Sequence, residues 1–211
     1  MSPGENPAIL LKAEGLHVRR GGALVLDIPV LDIFPDQVLA LIGPNGAGKS
    51  TLLLTLACLL KPSGGHFSFN GREIDADRGD VEYRRRIAMV FQEPLLFDAT
   101  VFDNVAAGLK IRGVGREEIG RVVPGYLELF GIAHLAKRSA RKLSGGEAQR
   151  ASLARAFVTK PEIVFLDEPF SSLDPPTREA LIGDFEKILR ETRTAAVVAM
   201  RRTCSALSAT I

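Results

Sequence analysis

The sequence predicts an α/β fold with a mainly parallel sheet, an antiparallel β region at its N-terminal end and a helical subdomain inserted ahead of its last two strands. Three observations carry this prediction. Short apolar runs at 163–166 and 195–199 have the continuous hydrophobicity of buried parallel strands. Segments with apolar residues at helical spacing alternate with these runs, as crossover helices do in a parallel sheet. The first forty residues instead alternate short apolar runs with turns.

In chain order, Leu10-Leu11, Leu24 to Ile28 and Val38 to Ile42 read as strands, split by Gly21-Gly22 and Pro35-Asp36. His66 to Phe69 followed by Asn70-Gly71 predicts a hairpin, because Asn-Gly suits a tight turn with positive φ at both centres. Between them, Leu52, Leu53, Leu56, Leu59 and Leu60 predict a helix from Gly48 to Leu60, ended by Pro62 and Gly64-Gly65. From Ala99 to Ala156 the pattern is mostly helical, with glycines at 108, 113, 115, 120, 125 and 131 expected to break it into short pieces. Ile163 to Leu166 and Ala195 to Ala199 read as buried strands. Arg178 to Glu191 between them reads as an amphipathic helix.

Composition narrows the class. A chain of 211 residues that is 46% hydrophobic can bury a sizeable core. Its formal charge of +2 argues against a protein that coats polyanions, and the basic run Arg84-Arg85-Arg86 reads as a solvated face. No nucleic-acid partner is therefore expected. Two cysteines, Cys58 and Cys204, are too few for a disulfide framework. Cys58 reads as a small buried residue. No apolar run approaches the roughly 18 residues of a membrane span, so any membrane role is expected to come through a partner.

Gly43-Pro44-Asn45-Gly46-Ala47-Gly48-Lys49-Ser50 matches the phosphate-binding pattern G-x-x-x-x-G-K-[S/T] between a strand and a helix, so the core reads as a P-loop NTPase. Glycines let backbone N–H groups turn inward around phosphate oxygens, and the helix N-terminus, from Lys49 and Ser50 to Thr51, adds partial positive charge. Lys49 can reach the outer phosphates and Ser50 can ligate Mg²⁺. Ile163 to Glu168 is an apolar strand ending in paired carboxylates. Asp167 can position the metal, and Glu168 can orient or deprotonate an attacking water. Leu143-Ser144-Gly145-Gly146-Glu147, before a helix, offers a second anion-binding N-terminus. The same residues also make a capping box from Ser144 and Glu147.

These three motifs, in this order, resemble the nucleotide-binding subunit of ATP-binding cassette (ABC) transporters. Phe91-Gln92 resembles that family's Q-loop, and Ser171-Ser172-Leu173-Asp174 its D-loop. The resemblance implies a single ABC ATPase domain with ATP and Mg²⁺ as cofactors. Its core would span 1–92 and 157–199, with a helical subdomain at 93–156 and an atypical tail at 200–211. It implies a catalytic set of Glu168, Gln92 and Lys49, and a metal set of Ser50, Gln92 and Asp167. It also implies a head-to-tail homodimer, or a pair with another ABC subunit, in which Ser144, Gly145, Gly146 and Glu147 serve the nucleotide of the partner. A transmembrane permease, a solute-binding protein and a cytoplasmic, peripheral place on the inner face of the cell membrane follow from the same resemblance. The short spacing from Gln92 to Ser144 leaves no room for a long coiled coil. The stretch from Val90 to Leu109 is most similar to importer subunits, including those for tungstate or molybdate.

Two positions depart from the family pattern. Where the family has an aromatic residue that stacks on adenine, this chain has Arg20, which can stack on a flat ring or serve as a solvated turn residue. After Ala195 to Ala199 the family places a His-Asp pair, whereas Met200-Arg201-Arg202 stand here. The histidines, His17, His66 and His134, lie elsewhere and read as structural or surface residues. The expectation is a truncated or frameshifted form of a longer ATPase, with a natural short form as the alternative. A His-Asp continuation in another reading frame of the encoding DNA distinguishes them. Hydrolysis is expected to be weak, since losing one organiser of a charged transition state costs on the order of a hundredfold. A hydrolysis-impaired nucleotide binder and a non-transport ABC ATPase are the alternative functions.

Overall fold

The computed structural model describes residues 8–76 and 79–201. The tail from Arg202 onward, with Cys204, lies outside the described residues. Two four-stranded sheets organise the chain. The first is antiparallel and joins β1 (Leu11–Arg20), β2 (Ala23–Ile33), β4 (Gly64–Phe69) and β5 (Arg72–Glu73) in the order β2-β1-β4-β5. The second is parallel and joins β3 (Val38–Ile42), β6 (Ile87–Val90), β7 (Ile163–Asp167) and β8 (Ala195–Met200) in the order β3-β8-β7-β6. Helices α1 (Lys49–Leu56), α2 (Val81–Arg86), α3 (Val101–Ile111), α4 (Arg116–Leu129), α5 (Gly145–Phe157) and α6 (Pro175–Thr192) complete it. No helix among the described residues is long and apolar enough to cross a membrane.

The strands β7 and β8 are the centre of the molecule. Because successive strand residues face opposite ways, each strand feeds two cores. Val164, Leu166, Ala196 and Val198 pack with α3, α4, α5 and α6. Ile163, Phe165, Ala195, Val197 and Ala199 pack with α1 and the antiparallel sheet. The continuous apolar character of both strands follows from this double burial. An ion pair ties the end of α2 to the start of β7. Arg86 donates to both oxygens of Glu162, holding that carboxyl below its usual range, and stacks on the ring of Phe69.

The Asn70-Gly71 hairpin is as predicted, with φ of 49° and 74°. Other predicted boundaries differ. β1 extends far beyond Leu10-Leu11. Its buried residues change phase, from Leu11 and Ala13 to Leu16 and Val18, across a register irregularity against β4. At this bulge the backbone of Gly15 approaches Gly65 so closely that a Cβ on Gly65 would lie 2.2 Å from the Gly15 carbonyl oxygen. The predicted helix at 48–60 ends at Leu56, because Cys58 adopts a left-handed φ of 54° and turns the chain. Cys58 is therefore half-buried just beyond the helix, not within it, and burial pushes its thiol up to about 11.

Within 99–156, Gly113 and Gly131 do break the chain with positive φ, and Gly115 caps α4. Gly108, Gly120 and Gly125 lie inside helices instead. Gly108 has a packing reason, since a Cβ there would meet the Thr159 methyl at 2.7 Å. The prediction also missed α2 and β6. A polar cap, Asp80 accepting from the Tyr83 N–H at 2.9 Å, starts α2 within a run too short for clear periodicity.

Candidate functional site

The carboxyl ends of the parallel strands open on one cleft, the usual place for a ligand on such a sheet. β3 runs into the loop 43–48 and then α1. β6 ends just before Gln92, β7 delivers Asp167 and Glu168, and β8 ends one residue before Arg201. Residues 45–51 line a cavity of about 370 Å³ together with Arg20, Val25, Gln92, Glu168 and Arg201. The sequence pattern had brought most of these together. Val25 and Arg201 it had not.

The loop takes its shape from two left-handed glycines, Gly46 at φ 80° and Gly48 at φ 85°. Gly48 is also closed in by β2, because a Cβ there would lie 2.8 Å from the Val25 carbonyl oxygen. That contact explains Val25 as a wall residue, which only the pairing of distant segments could reveal. Gly48 caps α1 without a side-chain bond, so the first amides of the helix are left for a ligand. Gly43 and Pro44 contribute through their carbonyls, which accept from the Lys49 ammonium at 2.8 Å each.

At the foot of the loop, Ser50 Oγ donates to Asp167 Oδ1 at 2.9 Å, across 117 residues of sequence. A hydroxyl and a carboxylate there, with the amide of Gln92 on the same cavity, form a hard oxygen-donor set. Among the described residues no group of three His, Cys, Asp or Glu side chains could hold a metal alone. The oxygen donors of Ser50 and Asp167 fit Mg²⁺, which takes one or two carboxylates and completes its shell with phosphate oxygens and water.

Glu168 follows directly. Its φ of 46° is left-handed, an uncommon state for a residue with a Cβ. Besides the Ser171 N–H, which donates to its carbonyl at 3.1 Å, further contacts hold it. Its N–H donates to the Ala199 carbonyl at 3.1 Å, its carbonyl accepts from Ser171 Oγ at 2.9 Å, and its carboxylate accepts from Arg201 Nε at 2.6 Å.

Ser144, Gly145, Gly146 and Glu147 lie apart from this cleft, at the start of α5. The capping box is formed. Ser144 Oγ accepts from the Glu147 N–H at 3.3 Å, and the Glu147 carboxylate accepts from the Ser144 N–H at 2.7 Å. That backbone bond, ahead of the nearby Arg138, holds the Glu147 carboxyl below its usual range. Ser144 and Gly145 are exposed. Gly146 packs on the start of α6, where a Cβ would meet the Thr177 methyl at 2.9 Å. Asp174 caps α6 through the Thr177 N–H at 3.1 Å.

The loop after Gln92 is fixed from α5. Arg155 donates to the carbonyls of Pro94 and Leu95, both at 2.9 Å, and lies over the Phe97 ring. Buried Asn104 accepts from the Phe97 N–H at 2.7 Å and donates to its carbonyl at 3.1 Å. Leu95 and Phe97 themselves stay more than half exposed.

Comparison with known proteins agrees with this geometry. The family model described as ABC transporter matches residues 26–171, which include the loop, Gln92, Ser144, Asp167 and Glu168. The chain belongs to the ABC transporter family. A molybdate/tungstate import ATP-binding protein of Thermococcus kodakarensis is 43% identical over 72% of this chain and 45% of its own length. A tungstate uptake system ATP-binding protein of Peptoclostridium acidaminophilum is 40% identical over 76% of this chain and 72% of its own. The chain thus spans about half the length of the first relative. The structure of cbiO1 from Clostridium perfringens, part of the ABC transporter complex cbiONQ, superposes with a TM-score of 0.84 at 31% identity, covering 92% of this chain and 79% of that one. The α/β P-loop fold of an ABC ATPase, expected from the motifs, is therefore the fold of this chain. Arg20 and Arg201 stand outside the span that the ABC transporter family model matches.

Proposed function

We propose that the chain binds Mg²⁺-ATP and hydrolyses it as one of two head-to-tail ABC subunits, driving import of an oxyanion of the molybdate or tungstate kind through a separate permease. The observation that carries this reading is the Ser50–Asp167 contact at the foot of an amide-lined cleft, with Glu168 beside it. The amides of 45–51 cradle the phosphates, and Lys49 exchanges the carbonyls of Gly43 and Pro44 for phosphate oxygens. Ser50, Asp167 and Gln92 hold the metal, which when bound neutralises charge on the outer phosphates. Glu168 orients the attacking water and accepts its proton. Arg20, on the wall of the same cavity, takes the adenine face.

The exposed N-terminus of α5 supports the paired arrangement. Ser144 and Gly145 are exposed and Gly146 is half-buried beside them, away from this chain's own cleft, where a second subunit's terminal phosphate would meet the Ser144 hydroxyl and the amides of the two glycines. In this arrangement 1–92 and 157–199 form the core and 93–156 the helical subdomain. Hydrolysis is slow, because Met200 and Arg201 stand directly after Ala199, where the family places its His-Asp pair. Sedimentation of the purified chain tests the pairing. Mass should double on adding Mg²⁺-ATP and return to the monomer value with excess EDTA. A mass that ignores nucleotide argues against the paired site.

The permease partner is supported by Leu95 and Phe97. Two large apolar side chains are held outward on a loop that Arg155 and Asn104 fix in place, which is the form of a preorganised docking point. The chain then lies on the cytoplasmic face of the membrane, with a solute-binding protein on the other. Phe97→Arg should weaken co-purification with a co-expressed permease by about tenfold or more while ATP binding holds. Undiminished co-purification would place the docking surface elsewhere.

A further inference from the structure

We infer that Arg20 makes this cleft select its base, favouring a 6-oxopurine nucleotide such as GTP over ATP. The inference rests on the nucleotide site proposed above and adds the base to it. Arg20 is the last residue of β1 and pairs with Ala23 across the Gly21-Gly22 turn, whose glycines take φ of 55° and 82°. Just behind this tip the register slips. Val18 pairs with Leu26 but Arg19 pairs with Leu24, so Val25 is an extra residue on β2. A bulge of this kind re-aims the side chains around it. Here it sets the Val25 carbonyl against Gly48, and both Val25 and Arg20 line the loop cavity.

The cations on this cavity are Arg20, Lys49 and Arg201. Lys49 is fastened to the carbonyls of Gly43 and Pro44, and Arg201 to the carboxylate of Glu168. Arg20 makes no hydrogen bond or ion pair among the described residues. Arg19 beside it is held, donating its N–H to Ser63 Oγ at 2.8 Å and Nη1 to the Gly22 carbonyl at 3.1 Å. Arg20 and Val25 are also the lining residues that come from the antiparallel sheet. With the phosphates on the amides of 45–51 and the metal at Ser50 and Asp167, this wall is what is left for the base.

A base is neutral, so hydrogen bonding rather than charge decides which nucleotide uses the free guanidinium. A guanidinium has N–H donors and no acceptor. Adenine presents N7 as an acceptor next to an amino donor, whereas guanine presents two adjacent acceptors, O6 and N7, that match the guanidinium fork. Adenine therefore leaves Arg20 only the ring face, while guanine offers the face and the edge. Val25 has no side-chain acceptor for the adenine amino group, and the Gly22 carbonyl in the turn already accepts from Arg19. The side-chain amides on the cavity, Asn45 and Gln92, belong to the phosphate loop and to the end of β6. Arg20 is thereby a specificity residue for the base, acting independently of the number of phosphates.

The test is calorimetric titration of the full chain with the Mg²⁺ forms of ATP, GTP, ITP, 7-deaza-GTP, ADP and GDP. A bidentate arginine contact to O6 and N7 discriminates by about fivefold or more. GTP should therefore bind at least about fivefold more tightly than ATP. ITP should match GTP, because it keeps O6 and N7, and 7-deaza-GTP should fall toward ATP. GDP should exceed ADP by the same ratio, because the contact does not involve the terminal phosphate. Arg20→Ala and Arg20→Tyr should each bring GTP and ATP within about twofold of one another, the second because a phenol ring stacks on either purine without a fork. Thermal unfolding of both variants separates this from a general loss of fold. Equal affinities for ATP and GTP in the wild type, or a guanine preference that survives Arg20→Ala, overturn the inference while leaving the nucleotide site intact. A wild-type chain that binds no nucleotide, or whose binding ignores Lys49→Ala, removes the site itself.

Discussion

Lys49→Ala is expected to weaken Mg²⁺-ATP binding by at least about tenfold, with little change in thermal stability. The ammonium makes its two hydrogen bonds to carbonyls of its own loop, Gly43 and Pro44, and among the described residues it makes no ion pair to a distant element. Removing it therefore leaves β3, α1 and the packing around them in place. What is lost is the cation that faces the phosphates, and hydrogen bonds to charged groups contribute about 1.5–3 kcal/mol each. Titration of a fluorescent ATP analogue, followed by anisotropy, measures the difference. A variant that binds as tightly as the wild type would remove the phosphate-cradle reading of the loop. A variant that fails to fold would show Lys49 to be a structural residue.

Glu168→Gln is expected to separate binding from chemistry. The amide keeps the shape of the side chain and can still hydrogen-bond Arg201, so Mg²⁺-ATP affinity should stay within a few-fold. An amide cannot take a proton from water, and general-base catalysis is worth about 10²–10⁴ in rate. Single-turnover release of radiolabelled phosphate should therefore fall by about a hundredfold below the wild-type value. Trapped nucleotide in the variant should also prolong the proposed pairing, which sedimentation would read as a longer-lived doubled mass. Phosphate release unchanged by the substitution would move the general base to another residue and leave the left-handed backbone of Glu168 without a catalytic purpose.

The parts of this molecule legible in its sequence are those whose physics is local. The loop 43–50 needs small residues at fixed spacing beside a helix start, and that requirement is written in consecutive letters. The same holds for the Asn70-Gly71 turn and for the capping box of Ser144 and Glu147, both present as expected. β7 and β8 were visible because burial on two faces erases polar alternation. β1 was not, because the bulge near Gly15 flips which residues face inward and hides the period of two. The end of α1 was misplaced because Cys58, with an ordinary side chain, takes a backbone state that composition does not announce. Val25 and Arg201 enter the site through pairing across the fold, and only their places at strand ends could have drawn attention to them.

The seating of β7 and β8 between two cores has a mechanical consequence. Strands gripped on both faces are stiff, so the reactive carboxylates at their tips have a fixed frame and cannot follow a ligand by bending the sheet. Displacement falls instead on parts with a free side: the loop before α1 and the helices outside the sheet. The sheet is the anvil, and Arg155, reaching from α5 to the carbonyls of Pro94 and Leu95, fastens the arm bearing Leu95 and Phe97 to that helix, so the two are bound to shift together.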